Sequence, residues 1–331
     1  MRLLVTGGLG FIGSAMVRFL LATHPHAEVV NLDAWTYAGN PHNLEPVLPS
    51  PRYRWVKASV ADASAVEALF RAAPFDAVLN FAAETHVDRS IADAAPFIET
   101  NVRGTEVLLH AARRWGIGRF VQISTDEVYG SISEGAAREE DPLDPSSPYA
   151  ASKAAADLLV LAYAKTYGVP VNITRCTNNY GPYQYPEKLI PLFITRALAQ
   201  KPCPLYGDGL NVRDWIYVDD HVEGVWAVLT RGRPGRIYHL GARNLRTNRE
   251  VAEAILALLG RSPDLVVPVA DRPGHDRRYA LDPTRAETEL DWRPRHTWPE
   301  ALAATVHWYR THPDWWQPLG DVSRPAPSTA D

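Results

Sequence analysis

The stretch LLVTGGLGFIGSAMVRFLL, residues 3–21, decides the fold. A short apolar run meets glycines at 7, 8, 10 and 13, and a helical pattern starts at Phe11. Gly7, Gly10 and Gly13 permit a tight turn, a close approach of backbone to a pyrophosphate and close packing of helix on strand, while the helix N-terminus favours phosphate charge. Phe11 and Ile12 of the same turn are expected to contact such a ligand. A glycine pattern alone is a weak signal, but here its context is right. The next β-run, VVNL, ends at Asp33, twenty residues after Gly13, where a carboxylate accepts hydrogen bonds from an adenosine ribose. Ala34 follows, and no arginine stands beside it to pair with a ribose 2′-phosphate, so the expected cofactor is NAD and not NADP. Further on, Phe81-Ala82-Ala83 ends the fourth run, and small residues there let the backbone lie against the dinucleotide.

From Arg2 to about Ser124, short β-branched runs alternate with longer helical patterns: LLVT, a helix from Phe11, VVNL, YRWV, a helix from Ala63, AVLNFA, a helix to about Trp115, then FVQIS. Such alternation predicts a parallel sheet with helices on both faces. A helix is expected from about Ser147 to Tyr167 and a strand from Val169 to Arg175. Beyond Asn178 come Pro-, Gly- and Trp-rich segments such as NNYGPYQYPEK and DRPGHDRRY, which are loops from which side chains reach a ligand. The division predicted is a dinucleotide-binding unit carrying the catalytic residues over 1–177 and a smaller lobe over 178–321. Val212–Val218 and Arg236–Leu240 are expected to return to the main sheet. Residues 322–331, rich in Pro, Ser and Ala, are expected to be disordered.

The chain of 331 residues, with 46% apolar and 22% charged residues, has an ordinary globular composition. A net charge of -4 gives no reason to expect nucleic-acid binding. Cys176 and Cys203 are too few for a disulfide framework and have no metal-ligand spacing, which predicts a cytoplasmic protein without metal. The N-terminal MRLLVTGG reads as a strand and not a signal segment, and no stretch approaches the ~20 apolar residues that span a bilayer.

Tyr149 and Lys153 lie one helical turn apart, so their side chains share a face. An ammonium beside a phenol stabilises the phenolate, and the expectation is a lowered pKa and a base usable near neutral pH. About twenty residues earlier, Ser124-Thr125-Asp126-Glu127-Val128-Tyr129-Gly130 falls at the end of the fifth strand. Thr125 can donate to a sugar hydroxyl, and Asp126 with Glu127 supplies two carboxylates whose environments can hold one protonated and one ionised. Consecutive residues on a continuing strand face opposite ways, so this reading requires the backbone to turn there.

These motifs together resemble the dTDP-glucose 4,6-dehydratases of the extended short-chain dehydrogenase/reductase family. The match covers roughly residues 1 to 310, through TGGLGFIG, NLDAWTYAGN, NFAAETHVDRSI, ETNVRGT, ISTDEVYG, YAASK, TNNYGPYQYPEKLIPLFI, GDGLNVRDWIYVDDH and PGHDRRYALD in order. The resemblance implies an α/β fold, a Rossmann-type doubly wound parallel sheet with a smaller C-terminal substrate-binding lobe, and a homodimer joined through helices near Asp93–Trp115 and Ser147–Tyr167. It implies that bound NAD takes hydride from C4 of the glucosyl group, water leaves across C5 and C6, and the hydride returns to C6. By position, Tyr149 takes the C4 hydroxyl proton with Thr125 assisting, Lys153 orients the nicotinamide ribose, Glu127 takes the C5 proton and Asp126 protonates the leaving C6 hydroxyl. Thr100 and Asn179 join the cofactor residues, and Thr85, Asn178, Glu187, Lys188, Arg213, Asn248 and His275 are assigned to the sugar nucleotide. A guanidinium fork at Arg213 suits a diphosphate, whereas Glu187 and Lys188 read equally as a surface ion pair.

One departure stands out. Where the family places an aspartate and an apolar residue near the adenine, this chain has Ser59-Val60, and Ser59 accepts a hydrogen bond more weakly than a carboxylate. Two rival enzymes share much of the pattern: a UDP-glucose dehydratase, which shares the carboxylate pair, and a UDP-sugar 4-epimerase, which does not need it. A non-catalytic dinucleotide-binding regulator would keep the glycines and lose the five catalytic residues.

Overall fold

The computed structural model describes residues 1–320, so the tail expected to be disordered lies outside the described residues. The strands, in chain order, are β1 (Arg2–Thr6), β2 (Glu28–Asp33), β3 (Tyr53–Lys57), β4 (Ala77–Asn80), β5 (Arg119–Thr125), β6 (Val171–Cys176), β7 (Asn178–Tyr180), β8 (Cys203–Tyr206), β9 (Val212–Tyr217), β10 (Ile237–Leu240), β11 (Leu245–Thr247) and β12 (Val266–Val269). Seven of them form one sheet in the order β10-β6-β5-β4-β1-β2-β3, and every pair is parallel. The order reverses between β1 and β4, because the chain first builds outward through β2 and β3 and then returns to the other side of β1. Open α/β sheets bind ligands at such a switch point, beyond the carboxyl ends of their strands.

Strand periodicity divides the packing on the main sheet into two cores, one on each face. Leu3, Val5, Leu79 and Val121 point to one face, where the helices Phe11–Thr23 and Val218–Arg231 add Met16, Leu20, Val222 and Val225. Leu4, Val78 and Phe120 point to the other, under the helices Ala63–Ala72, Gly104–Trp115 and Pro148–Tyr167. Leu4 is fully buried. Truncating such a leucine to alanine typically costs about 2–5 kcal/mol through lost transfer energy and the cavity left behind.

Two sequence expectations need correction. Ile237–Leu240 does join the main sheet, beside β6, but Val212–Tyr217 does not: it pairs in parallel with β7 and antiparallel with β11 in a separate three-stranded sheet. Its residues alternate between cores, with Ile216 in the core of the main sheet and Trp215 and Tyr217 in the core of the C-terminal lobe beside Tyr180. A strand buried on both faces reads as a continuous apolar run whichever sheet it joins, so its partner could not be read locally. The helix expected to end at Trp115 is also interrupted. Ala95–Phe97 is followed by a π-helical segment, Ile98–Arg103, and only then by the α-helix Gly104–Trp115. Widened turns of this kind gather at functional sites, and this one carries Thr100 and Asn101.

Candidate active site

A cleft crosses the carboxyl ends of β1, β2, β4, β5 and β6. At one end lies the glycine turn. Gly7 has φ +69°, and a Cβ there would stand 2.7 Å from the Ala82 backbone nitrogen; a Cβ on Gly13 would stand 2.1 Å from the Gly7 carbonyl oxygen. Both glycines are therefore required by contact, and Gly7 by its left-handed conformation as well. Gly10 caps the helix Phe11–Thr23 without a side-chain hydrogen bond, leaving the first amides of that helix facing the cleft. Phe11 and Ile12 line it beside them.

Asp33 accepts from the backbone N–H groups of Leu9 (2.8 Å) and Trp35 (2.7 Å), one on each oxygen. Each oxygen keeps a lone pair for a further donor. Burial pushes the Asp33 carboxyl up, opposed by these two bonds. Ser59 and Val60 line the same end, and the Ser59 hydroxyl accepts from the Ala61 N–H at 3.1 Å, so its oxygen is partly committed to its own turn. Phe81, Ala82 and Ala83 lie across from the glycines. They are fixed there because the Ala82 N–H donates to Thr6 Oγ1 (3.1 Å), whose hydroxyl donates to Asn80 Oδ1 (2.6 Å).

At the other end, β5 stops at Thr125 and the chain makes a 3₁₀ turn over Asp126–Tyr129. Thr125 caps it, its Oγ1 accepting from the Glu127 N–H at 3.3 Å and donating to Asp126 Oδ1 at 3.1 Å. The turn brings both carboxylates into the cleft with Thr125, Tyr149 and Lys153. Their environments differ. Burial, then the neighbouring Glu127 charge, pushes the Asp126 carboxyl well above the usual range. Glu127 is also raised by burial, but Arg272, Arg213 and Lys188 act against the rise. Adjacent acids pushed apart in this way can act as a proton donor and a proton acceptor in one site.

Ser147 caps the helix Pro148–Tyr167 by accepting from the Ala150 N–H, and Pro148 stands at its first position, where no N–H is needed. Tyr149 and Lys153 project from it into the cleft as their spacing requires. The expected sign of the Tyr149 shift needs correction: burial, then the charge of Glu127, pushes the phenol well above its ordinary value. Lys153 donates to the Ile123 carbonyl at 2.5 Å, and burial lowers its own ammonium. Spacing put the two groups on one face, but it could not show how little water either one keeps.

Of the residues assigned to the sugar nucleotide, Thr85, Asn178, Glu187 and Lys188 line the cleft, as do Thr100 and Asn179 of the cofactor set. Glu187 and Lys188 turn to different partners: buried Glu187 accepts from the Tyr37 hydroxyl at 3.0 Å, and Lys188 donates to the Thr85 carbonyl at 2.9 Å. Arg213, Asn248 and His275 are not among the lining residues. Buried Arg213 stacks on Tyr279 at 4.1 Å and donates to the carbonyls of Val212 and Asp276, although its charge still reaches Asp126 and Glu127. The Asn248 N–H donates to the Asn211 carbonyl. His275 binds Asp271 at 2.6 Å, with its ring held neutral by burial at a pKa of about 4.

Cleft residues missed in the sequence include Thr36, Glu84, Cys176, Thr177 and Gln184. The buried acceptors Asp126 Oδ2, Asn178 Oδ1 and Asn179 Oδ1 and the hydroxyl of Thr177 have no protein partner, and all four residues line this cleft. Native proteins rarely leave such atoms unmatched, so the cleft is built to receive a polar ligand. With the glycine cradle and Asp33, these residues fit a dinucleotide.

Comparison with known proteins points the same way. The family model described as GDP-mannose 4,6 dehydratase matches residues 4–305. A curated dTDP-glucose 4,6-dehydratase from Streptomyces niveus is 52% identical over 335 residues, covering 100% of this chain and 99% of its own. A dTDP-glucose 4,6-dehydratase from Streptomyces venezuelae, crystallised with NAD and TYD bound, superposes with a TM-score of 0.94 at 54% identity, covering 97% of this chain and 100% of its own. A UDP-glucose 4-epimerase from Thermus thermophilus, in complex with NAD, superposes at 0.87 with 35% identity, over 94% of this chain and 100% of its own.

Proposed function

Because this chain belongs to the GDP-mannose 4,6 dehydratase family, we infer that it dehydrates a nucleotide-linked hexose, converting dTDP-glucose to dTDP-4-keto-6-deoxyglucose. The observation that carries the reading is the pair Asp126 and Glu127, adjacent in the cleft and separated in acidity by their surroundings. An epimerase has no need of such a pair, and the epimerase neighbour is also the less similar protein.

Gly7, Gly10, Gly13 and Asp33 would hold NAD, which would supply a hydride acceptor for C4 of the sugar and a hydride donor for C6. The chain's own residues do the rest. Tyr149 takes the C4 hydroxyl proton, with Thr125 donating to the same oxygen and Lys153 supplying positive charge and orienting the nicotinamide ribose. Glu127 then takes the C5 proton, which the C4 ketone has acidified, and gives a proton back to C5 when C6 receives hydride. Asp126, kept protonated by its burial, delivers a proton to the C6 hydroxyl so that it departs as water. Residues 1–177, with Asn179, hold cofactor and catalytic groups in this reading, while Thr85, Asn178, Glu187 and Lys188 hold the nucleotide and sugar.

Two copies are proposed to pair through the Ile98–Trp115 and Pro148–Tyr167 helices, where Ile98, Trp115, Leu158 and Tyr167 remain exposed. A solution mass near twice 36.7 kDa checks this, and a mass of one chain overturns it. The proposed location is the cytoplasm, in keeping with two buried free cysteines, and no helix among the described residues is long and apolar enough to cross a membrane. The test of function is incubation with dTDP-glucose and, separately, UDP-glucose. Loss of one water from dTDP-glucose without net NADH is the expected result, with UDP-glucose turned over more slowly. A product of unchanged mass would point to epimerisation.

A further inference from the structure

Behind the cleft, outside its lining, a buried ion pair joins all the elements that carry the catalytic groups. Asp157 is fully buried on the Pro148–Tyr167 helix, one turn beyond Lys153 and two beyond Tyr149. Its Oδ2 accepts from Arg175 Nε of β6 at 2.9 Å and from Ser124 Oγ of β5 at 3.0 Å. Arg175 continues the chain by donating to the Tyr129 hydroxyl at 2.5 Å, and Tyr129 ends the turn that bears Asp126 and Glu127. The Tyr129 oxygen also meets His239 Nε2 of β10 at 2.7 Å. The second oxygen of Asp157, Oδ1, is buried without a partner.

We propose that Asp157 is the positioning residue of this site: its carboxylate fixes Ser124 beside Thr125 and sets a negative charge one helical turn from Lys153, while Arg175 extends the tie to the carboxylate turn. A buried ion pair is weak support for stability and is often matched by apolar replacements, so a role in the reaction gives this one a reason to exist. The charged and titratable groups facing Asp157 are Arg175 from β6, Lys153 from its own helix and, through Arg175, Tyr129, with Glu139 and His239 beyond. For Lys153 the charges that oppose burial are Asp157 first and then Cys176. Cys176 is itself pushed up to about 12 by burial and stays a neutral thiol, which leaves Asp157 as the working counter-charge. Removing that charge makes the ammonium easier to lose, so the rate should fall away at lower pH.

The inference rests on the dehydratase reading and is tested with Asp157→Asn and with Asp157→Asn/Arg175→Met, the second variant removing the arginine charge that the first leaves unpaired. The rate of C4 oxidation is followed against pH in a Glu127→Gln background, where the reaction is expected to stop before loss of the C5 proton, and thermal unfolding is recorded in parallel. The basic limb is expected to move down by about one pH unit in both variants, the lower end of what a nearby opposite charge does, although the double variant regains thermal stability. A double variant that is stable and keeps the limb of the Glu127→Gln parent overturns the proposal and makes the pair structural. Absence of turnover by the unaltered enzyme would sink the dehydratase reading itself, a failure plainly distinct from an unshifted limb.

Discussion

Replacing Glu127 with Gln is expected to stop exchange of the C5 proton with solvent and to cut turnover by about a hundredfold to ten-thousandfold, the range for a positioned proton-transfer group. The amide keeps the shape of the acid, and the turn around it is set by the Thr125 cap and backbone bonds, so folding and cofactor binding should survive. Only the ionised carboxylate can take a proton. Burial raises the Glu127 pKa above its ordinary 4.5, with Arg272, Arg213 and Lys188 limiting the rise, so the unaltered enzyme should lose rate as pH falls through that raised value. Deuterium incorporation at C5 from heavy water, read by NMR on the C4-oxidised sugar, makes the check. Exchange at the original rate would remove Glu127 from the role of base.

Tyr149→Phe is expected to slow C4 oxidation by about a hundredfold or more while leaving the fold in place. The ring packs edge-on against Phe97, with centroids 6.3 Å apart, and a phenylalanine keeps that contact. What is lost is the hydroxyl. In the structure burial holds the phenol in its neutral form, well above its usual pKa, so the base depends on positive charge brought close to it. In the proposed mechanism the Lys153 ammonium, one helical turn away on the same face, supplies that charge. Single-turnover measurement of C4 oxidation provides the check, and a rate within a factor of a few of the original would contradict the assignment.

What the sequence disclosed was chemistry written within one element. Gly7 and Gly13 reported a close approach because only glycine leaves the room they need, and Tyr149 and Lys153 reported a shared face because helical spacing has no alternative. The Thr125-Asp126-Glu127 turn was legible from its place at a strand end. Burial and partners from remote segments were not legible. The phenol's shift came out with the wrong sign because spacing does not carry desolvation. β9 was placed in the wrong sheet because Trp215, Ile216 and Tyr217 supply an apolar run that serves two cores at once. Arg272, the largest charge opposing the rise at Glu127, lies in a loop that the sequence marked only as ligand-facing. Arg175 and Asp157 looked like ordinary residues of a strand and a helix, since their pairing depends on how β6 lies against that helix.

The most direct test of the account follows one atom. The unaltered enzyme is given dTDP-glucose carrying deuterium at C4, and the product is examined by mass and by NMR. A product lighter by one water, with the deuterium recovered in the C6 methyl group, is the expected result. A product of unchanged mass with deuterium still at C4, or a dehydrated product whose methyl group has lost the label to solvent, would contradict it.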